Sequence, residues 1–381
     1  MYEAAPEAPV IAVEAQSWLQ LADDAHRAPW DALGQWASTP NPFLESWYLL
    51  PALEAFDPYG KVRLLTVRAG ETLAGLLPIS REKRYYRYPL PQLCGWTHAN
   101  CFLGAPLVAR GLEKIFWRAL FNWADEHASG ALFLHLARLP LYGPLHAAMQ
   151  EVLAEQDRPA ALVQSEQRAL LSSPLSPDDY LAEALSAKKR KELRRQHRRL
   201  SEEGELLFER RDDAAGVDEW ADAFLWLEAK GWKGKAGSAM AKDAGTTLLF
   251  KSALQGAAAR GRLERLTLAL DGTPIAMLAN FVAPPGAFAF KTAFDENYAR
   301  FSPGVLLQRE NLALLDRNEI HWCDSCASPD HPMIDHFWRE RRTIGRVSIA
   351  IGGQLRRSLF QAIAHFETRG VAARSLEGTS G

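Results

Sequence analysis

Residues 290–307 read FKTAFDENYARFSPGVLL, an aromatic strand that ends in acidic residues and passes through Ser-Pro-Gly into an apolar helical run. Pro303 suits the first helical position, Ser302 the cap before it, and Gly304 leaves room for a ligand to approach the backbone. The first-turn amides of such a helix carry roughly half a positive charge, so they can hold a pyrophosphate without a lysine. Arg300, Ser302, Pro303, Gly304, Val305 and Leu306 are the residues that this pattern sets against a phosphate-bearing donor. Asp295 and Glu296 fall just upstream, at the strand end, where a carboxylate can take a proton from a hydroxyl or amine, directly or through one water. A plain strand-turn-helix junction has the same local pattern, since Ser-Pro starts many helices.

Other residues of the right type lie further off. Glu228 precedes the turn Gly231-Trp232-Lys233-Gly234 near a helix C-terminus, where the helix dipole disfavours its charge, and it is the second candidate base after Asp295. Lys233 and Lys235, in a Gly-rich loop, can clamp a phosphate or an acidic sugar. Lys291 alternates with phenylalanines, so it either faces solvent or reaches into a cleft. Residues 321–336, HWCDSCASPDHPMIDH, give Cys323, Cys326, His331 and His336 a zinc-like spacing, but Pro329 and Pro332 interrupt the loop. No metal is expected there; a strand ending at Cys323 or Asp324 would instead deliver Asp324, Asp330 or His331 to a cleft. Near the start, Trp96, His98 and Asn100 form a polar-aromatic loop suited to stacking on a sugar, or to a satisfied core histidine.

Charge is local rather than global. The 381 residues hold 44 Lys or Arg against 46 Asp or Glu, yet residues 188–199 alone contain eight basic residues and one acidic one. Without that segment the balance is 36 against 45, unlike a dedicated nucleic-acid binder with a basic domain. Ser186 is a cap for this helix and Gly204 marks its stop. Arg190, Arg194 and Arg198 share a face by their four-residue spacing, while Leu193 and Leu200 supply a thin apolar seam, so most of the helix stays wet. An anionic donor, an anionic acceptor or an RNA carrier would each suit it.

The elements that must position these residues follow an alternating order. Helix 43–56 precedes the hairpin KVRLLTVR (61–68) and TLAGLLPIS (72–80); helix 112–128 leads to strand 131–137. In the second half, a short helix from Ser176 and the basic helix come before strand 206–211, helix 216–230 and helix 246–260. A hairpin over 263–282 turns at Asp271-Gly272, and strand 288–294 enters the Ser302 helix. The repeated order predicts an α/β (α+β) fold of two similar lobes, each a mixed sheet flanked by helices, spanning 1–168 and 169–381. An apolar fraction of 48% is ample for two cores. The first thirty residues lack a secretory pattern, no window is a membrane span, and four sparse cysteines suit a reducing cytoplasm.

The blocks SAKKRKELRRQHRRLSEEG (186–204), WLEAKGWKGKAGSA (226–239) and 290–307 resemble, in order and spacing, the GNAT acetyltransferase domain of proteins related to cellulose biosynthesis, the CelD or BcsL-like family. NPFLESW, GLLPIS and GAPL, within 41–107, resemble the N-terminal half of the same proteins. The usual phosphate-loop pattern, an Arg or Gln followed by spaced glycines, is echoed here only by Arg300 and Gly304. The resemblance implies an acetyl-CoA or other acyl-CoA donor held by the second lobe. It also implies direct transfer to a saccharide or envelope-precursor acceptor in a cleft formed with the first lobe. Two rivals remain open. A Fem-type transferase with the same two-lobed architecture would take its donor from charged tRNA through Arg190, Arg194 and Arg198. A noncatalytic scaffold would keep its activity after Asp295→Asn. The sequence leaves the oligomeric state open.

Overall fold

In the first hairpin the buried Leu64 and Leu65, like Leu76 and Leu77, are adjacent in sequence and point to opposite faces, so both sides of these strands are covered. The computed structural model describes residues 10–377. The first strands and helices are β1 (Ile11–Ser17), α1 (Asp24–Trp36), α2 (Ser46–Phe56), β2 (Arg63–Ala69), β3 (Thr72–Glu82), β4 (Gln92–Gly95) and β5 (Leu107–Val108). They are followed by α3 (Glu113–His127), β6 (Phe133–Pro140), α4 (Pro144–Glu155) and β7 (Ala160–Leu171). Next come α5 (Pro177–Ala184), α6 (Ala187–Ser201), β8 (Leu206–Arg211), α7 (Val217–Lys230), α8 (Trp232–Lys235) and α9 (Ala244–Ala258). The chain ends with β9 (Leu263–Leu270), β10 (Thr273–Ala283), β11 (Gly286–Phe294), α10 (Pro303–Asn311), β12 (Trp322–Asp324), β13 (Glu340–Ala350) and α11 (Gln354–Glu377).

These elements sort into two units that interleave along the chain: residues 1–46, 57–166 and 343–381 in one, and 47–56 with 167–342 in the other. The sequence pattern had placed two consecutive lobes, 1–168 and 169–381. Residues 343–381 instead return to the first unit, because β13 pairs with β6 from Ile344↔Pro140 to Ala350↔Phe133 and Phe360 of α11 packs on Phe133. In that unit the strands run β1-β2-β3-β4-β6-β13, antiparallel except between β4 and β6. Phe116, Trp117, Leu120 and Phe121 of α3 are buried, as their helical spacing requires.

The second unit orders its strands β7-β12-β11-β10-β9-β8, antiparallel except between β11 and β12. The β9–β10 hairpin turns at Asp271-Gly272, both in the left-handed region. Gly286 opens β11 opposite Trp322, and a Cβ there would lie 2.3 Å from the indole, so only glycine lets β12 pair. Aromatic rings fill one side: Phe290 stacks on Phe281 with centroids 4.5 Å apart, and Tyr48 of α2 meets both edge-on. The basic helix α6 forms as its caps predict, with Ser186 accepting from the Lys189 amide and Leu193 and Leu200 buried. Among the described residues, no helix is long and apolar enough to cross a membrane.

Candidate active site

β11 keeps β10 as a neighbour along its full length, but its parallel pairing with β12 spans only Gly286↔Trp322 to Phe288↔Asp324. Past Phe288 that edge of β11 leaves the ladder, and the chain turns through a 3-10 turn (Glu296–Phe301) into α10. A strand edge that has lost its neighbour can accept an extended, amide-bearing chain as an added strand. Here it runs straight toward a helix N-terminus.

Three lysines of the α7–α8 corner each meet a carboxylate near this edge: Lys230 Nζ lies 2.6 Å from Asp295, Lys233 Nζ 2.7 Å from Glu228 and Lys235 Nζ 2.7 Å from Glu296. The loop expected around Lys233 and Lys235 is therefore a short helical turn, α8. Glu228 is buried and has both oxygens in use, the second accepting the Met240 amide at 2.8 Å. Asp295 caps the 3-10 turn by accepting the Asn297 amide. Burial pushes its pKa up, but the Lys230 ammonium and that amide outweigh it and hold the carboxyl below its ordinary value. Asp295, the first candidate base, thus has the geometry and acidity of a paired cap. A weak proton acceptor results.

Lys291 is different. Its Nζ lies 5.5 Å over the Phe290 ring, and burial first, then the Lys233 charge, pulls its pKa down to about 8 against the opposing pull of Glu228 and Cys326. A lysine poised near neutral pH can exchange a proton in the course of a reaction. His331 belongs to the same neighbourhood: burial and the Lys233 charge lower its pKa, partly offset by Asp335, and its Nδ1 accepts from the Met333 amide. Glu228, Gly231 and Lys233 line a small notch with Thr292, Ala293 and Phe294 of the same edge.

The start of α10 departs from the sequence pattern. Ser302 holds the cap position in the left-handed conformation, φ 53°, and makes no side-chain capping bond; a hydroxyl reaches the N2 or N3 amide from extended backbone instead. Pro303 has no N–H, while the Val305 and Leu306 amides bond the Ser302 carbonyl, leaving the Gly304 amide as the first-turn donor. The space beside Gly304 is also taken: a Cβ there would lie 2.6 Å from Met333 Sδ and 3.3 Å from Phe294. Val305 and Leu306 pack inward on the core. Arg300 stacks on Phe301 and pairs with Glu203 at the exposed rim. One backbone donor and one exposed guanidinium replace the wider cradle that the glycine had suggested.

The remaining candidates scatter. Asp324 is fully buried, accepting from Arg168 at 2.7 Å, Arg342 at 2.8 Å and the Cys326 amide at 2.9 Å, so it braces β7, β12 and β13 rather than facing a cleft. Cys323 and Cys326 are buried with their thiols pushed well up by burial, and among the described residues no three His, Cys, Asp or Glu converge as ligands; the zinc-like spacing does not close. Arg190 and Arg194 border a separate cleft. Trp96 and His98, with rings 5.3 Å apart, and the buried Asn100 belong to the first unit. Sequence reasoning missed Met333, which nothing in HPM marks as the cover of Gly304, twenty-nine residues earlier.

Residues 187–331 match a family model described as an acetyltransferase (GNAT) domain. The crystal structure of FemX superposes with a TM-score of 0.57 at 12% identity, covering 89% of this chain and 98% of that one. A conserved protein of unknown function from Bacteroides thetaiotaomicron VPI-5482 gives 0.51 at 12% identity over 86% and 97%. No curated protein matches the chain. The fold is α/β, two units each built of a mixed sheet with helices, and residues 187–331 of the second unit carry the match to an acetyltransferase (GNAT) domain. The matched segment carries α6, the α7–α8 corner, β11 and α10, and so contains Glu228, Lys233, Lys291 and Gly304.

Proposed function

We propose that this protein transfers an acetyl or other acyl group from coenzyme A to a hydroxyl or amine of a saccharide or cell-envelope precursor in the cytoplasm, by direct attack on the thioester. The observation that carries this reading is the β11 edge, which leaves its parallel partner after Phe288 and ends beside the α10 N-terminus. The amide-rich arm of the donor lies along that edge as an added strand. Its pyrophosphate meets the Gly304 amide and Arg300. Lys291, whose pKa is lowered first by burial and then by the Lys233 charge, takes the acceptor proton in its neutral form as the acceptor O or N bonds the acyl carbon; the C–S bond breaks, and the CoA thiolate leaves and regains a proton from the Lys291 ammonium. Backbone donors on the open edge polarise the thioester carbonyl. The acceptor class rests on the resemblance to polysaccharide-related acetyltransferases.

Calorimetric titration with acetyl-CoA, free CoA and S-acetylpantetheine tests the donor. Acetyl-CoA and CoA are expected to bind at least about tenfold more tightly than S-acetylpantetheine, which lacks the pyrophosphate. Equal binding of all three would remove the phosphate site. The exposed cations of α6 favour a second reading, a donor carried on tRNA: Lys188, Lys189 and Lys191 stand exposed on that helix. No heat with acetyl-CoA, together with RNA binding that falls steeply with salt, would establish it.

A further inference from the structure

Away from β11, a cleft of about 620 Å³ opens between α5, α6 and the end of α10, a volume ordinary for a small-molecule site. Leu181, Leu193 and Leu312 give it an apolar lining, and the last two are buried. Its charges fall on separate elements. α6 supplies Arg190 and Arg194, while Asp178 comes from α5 and Asp316 from the 3-10 turn after α10 (Leu312–Asp316). The remaining pair cancels itself, Arg309 bonding Glu310 at 2.5 Å. Arg190 already donates to the Ala182 carbonyl, whereas among the described residues Arg194, Asp178 and Asp316 have no ion pair or hydrogen bond. A simple anion would meet two carboxylates here, and a simple cation two guanidinium groups. Only a ligand bearing both charges around an apolar body answers the whole lining.

We propose that this cleft binds a zwitterion of that kind, a short peptide with free ends, its carboxylate against Arg190 and Arg194 and its ammonium against Asp178 and Asp316. The site is separate from the donor edge. Arg309 lies six residues beyond Pro303, roughly 9 Å along the α10 axis at 1.5 Å per residue.

The full-length protein is titrated with the tripeptide Ala-Leu-Ala, its N-acetyl form, its C-terminal amide, and free leucine. In the unaltered protein, blocking either end is expected to weaken binding about fivefold, the effect of one lost exposed ion pair at the favourable end of its range. In Asp178→Asn/Asp316→Asn the acetylated and free peptides should bind alike, and in Arg194→Gln, which leaves only Arg190 for the carboxylate, the gap between amide and free peptides should narrow. Leucine binding as tightly as the tripeptide would keep the zwitterion and make an amino acid its source. No binding of tripeptide or leucine at millimolar concentration overturns the proposal, as does an N-acetyl peptide that binds as well as the free one, which would mark an anion site. All the variants change exposed side chains, and a thermal melt confirms that they fold. No acyl donor is present in these titrations, so their failure would leave the donor reading standing.

Discussion

Lys291→Met is expected to lower acyl transfer by about 10²- to 10³-fold while donor binding survives, because it removes the proton acceptor but keeps the volume of the side chain. The pH profile separates this role from a structural one. In the unaltered protein the rate should climb with pH until it levels near 8, the value to which burial and Lys233 bring the Lys291 ammonium. Lys291→Arg, charged at every working pH, should not restore the rate. The substitution should raise stability while it lowers the rate. The folded pKa of Lys291 lies below its unfolded value, so between the two the unfolded chain binds more protons and stability rises with pH. Below about 8 the buried charge costs its full penalty, and Lys291→Met should therefore gain about 1–2 kcal/mol at pH 7, a gain that fades toward pH 10.5. A less active and more stable variant is the signature of a strained functional group. Near-normal transfer by Lys291→Met would exclude Lys291 as the base.

Much of this architecture is written locally. The basic helix announces itself through Ser186 and its leucine seam, and the hairpin at Asp271-Gly272 through turn chemistry, so both form where the sequence puts them. The strand into α10 is equally legible, yet its detail is not. Whether Gly304 faces a ligand or a side chain is decided by Met333, and whether Ser302 caps is decided by a backbone angle that the preceding 3-10 turn imposes. β13 and α11 escaped notice for a related reason. ERRTIGRVSIA mixes charges into its alternation because Arg342 is buried against Asp324 and Trp322, a partnership no local window reveals. The charge of Lys291 likewise depends on Lys233, fifty-eight positions earlier. Residue types mark where chemistry is possible, and long-range packing selects which of them performs it.

Asp324→Asn should cost about 3–5 kcal/mol, since it removes the buried carboxylate that Arg168 and Arg342 both face. Arg168 and Arg342 are both nearly inaccessible, and Arg342 is further held over the Trp322 ring at 4.7 Å, so neither can swing out to water without opening β12. Urea unfolding reads the effect as a lower midpoint at unchanged slope. Acid reads it independently. Burial raises the Asp324 pKa but the two arginines outweigh it, and the folded value lies below the unfolded one. Its contribution is therefore complete above the unfolded carboxylate range and is lost as pH falls through the folded pKa, so the unaltered protein and Asp324→Asn should converge in stability on acidification. Replacing all three residues together by apolar side chains of similar volume should recover much of the loss, because the penalty comes from burying guanidinium charge without the facing carboxylate and not from the absence of the pair. If Asp324→Asn instead abolished acceptor binding at unchanged stability, the carboxylate would have to be reachable from the site. Its complete burial and three bonded partners oppose that outcome.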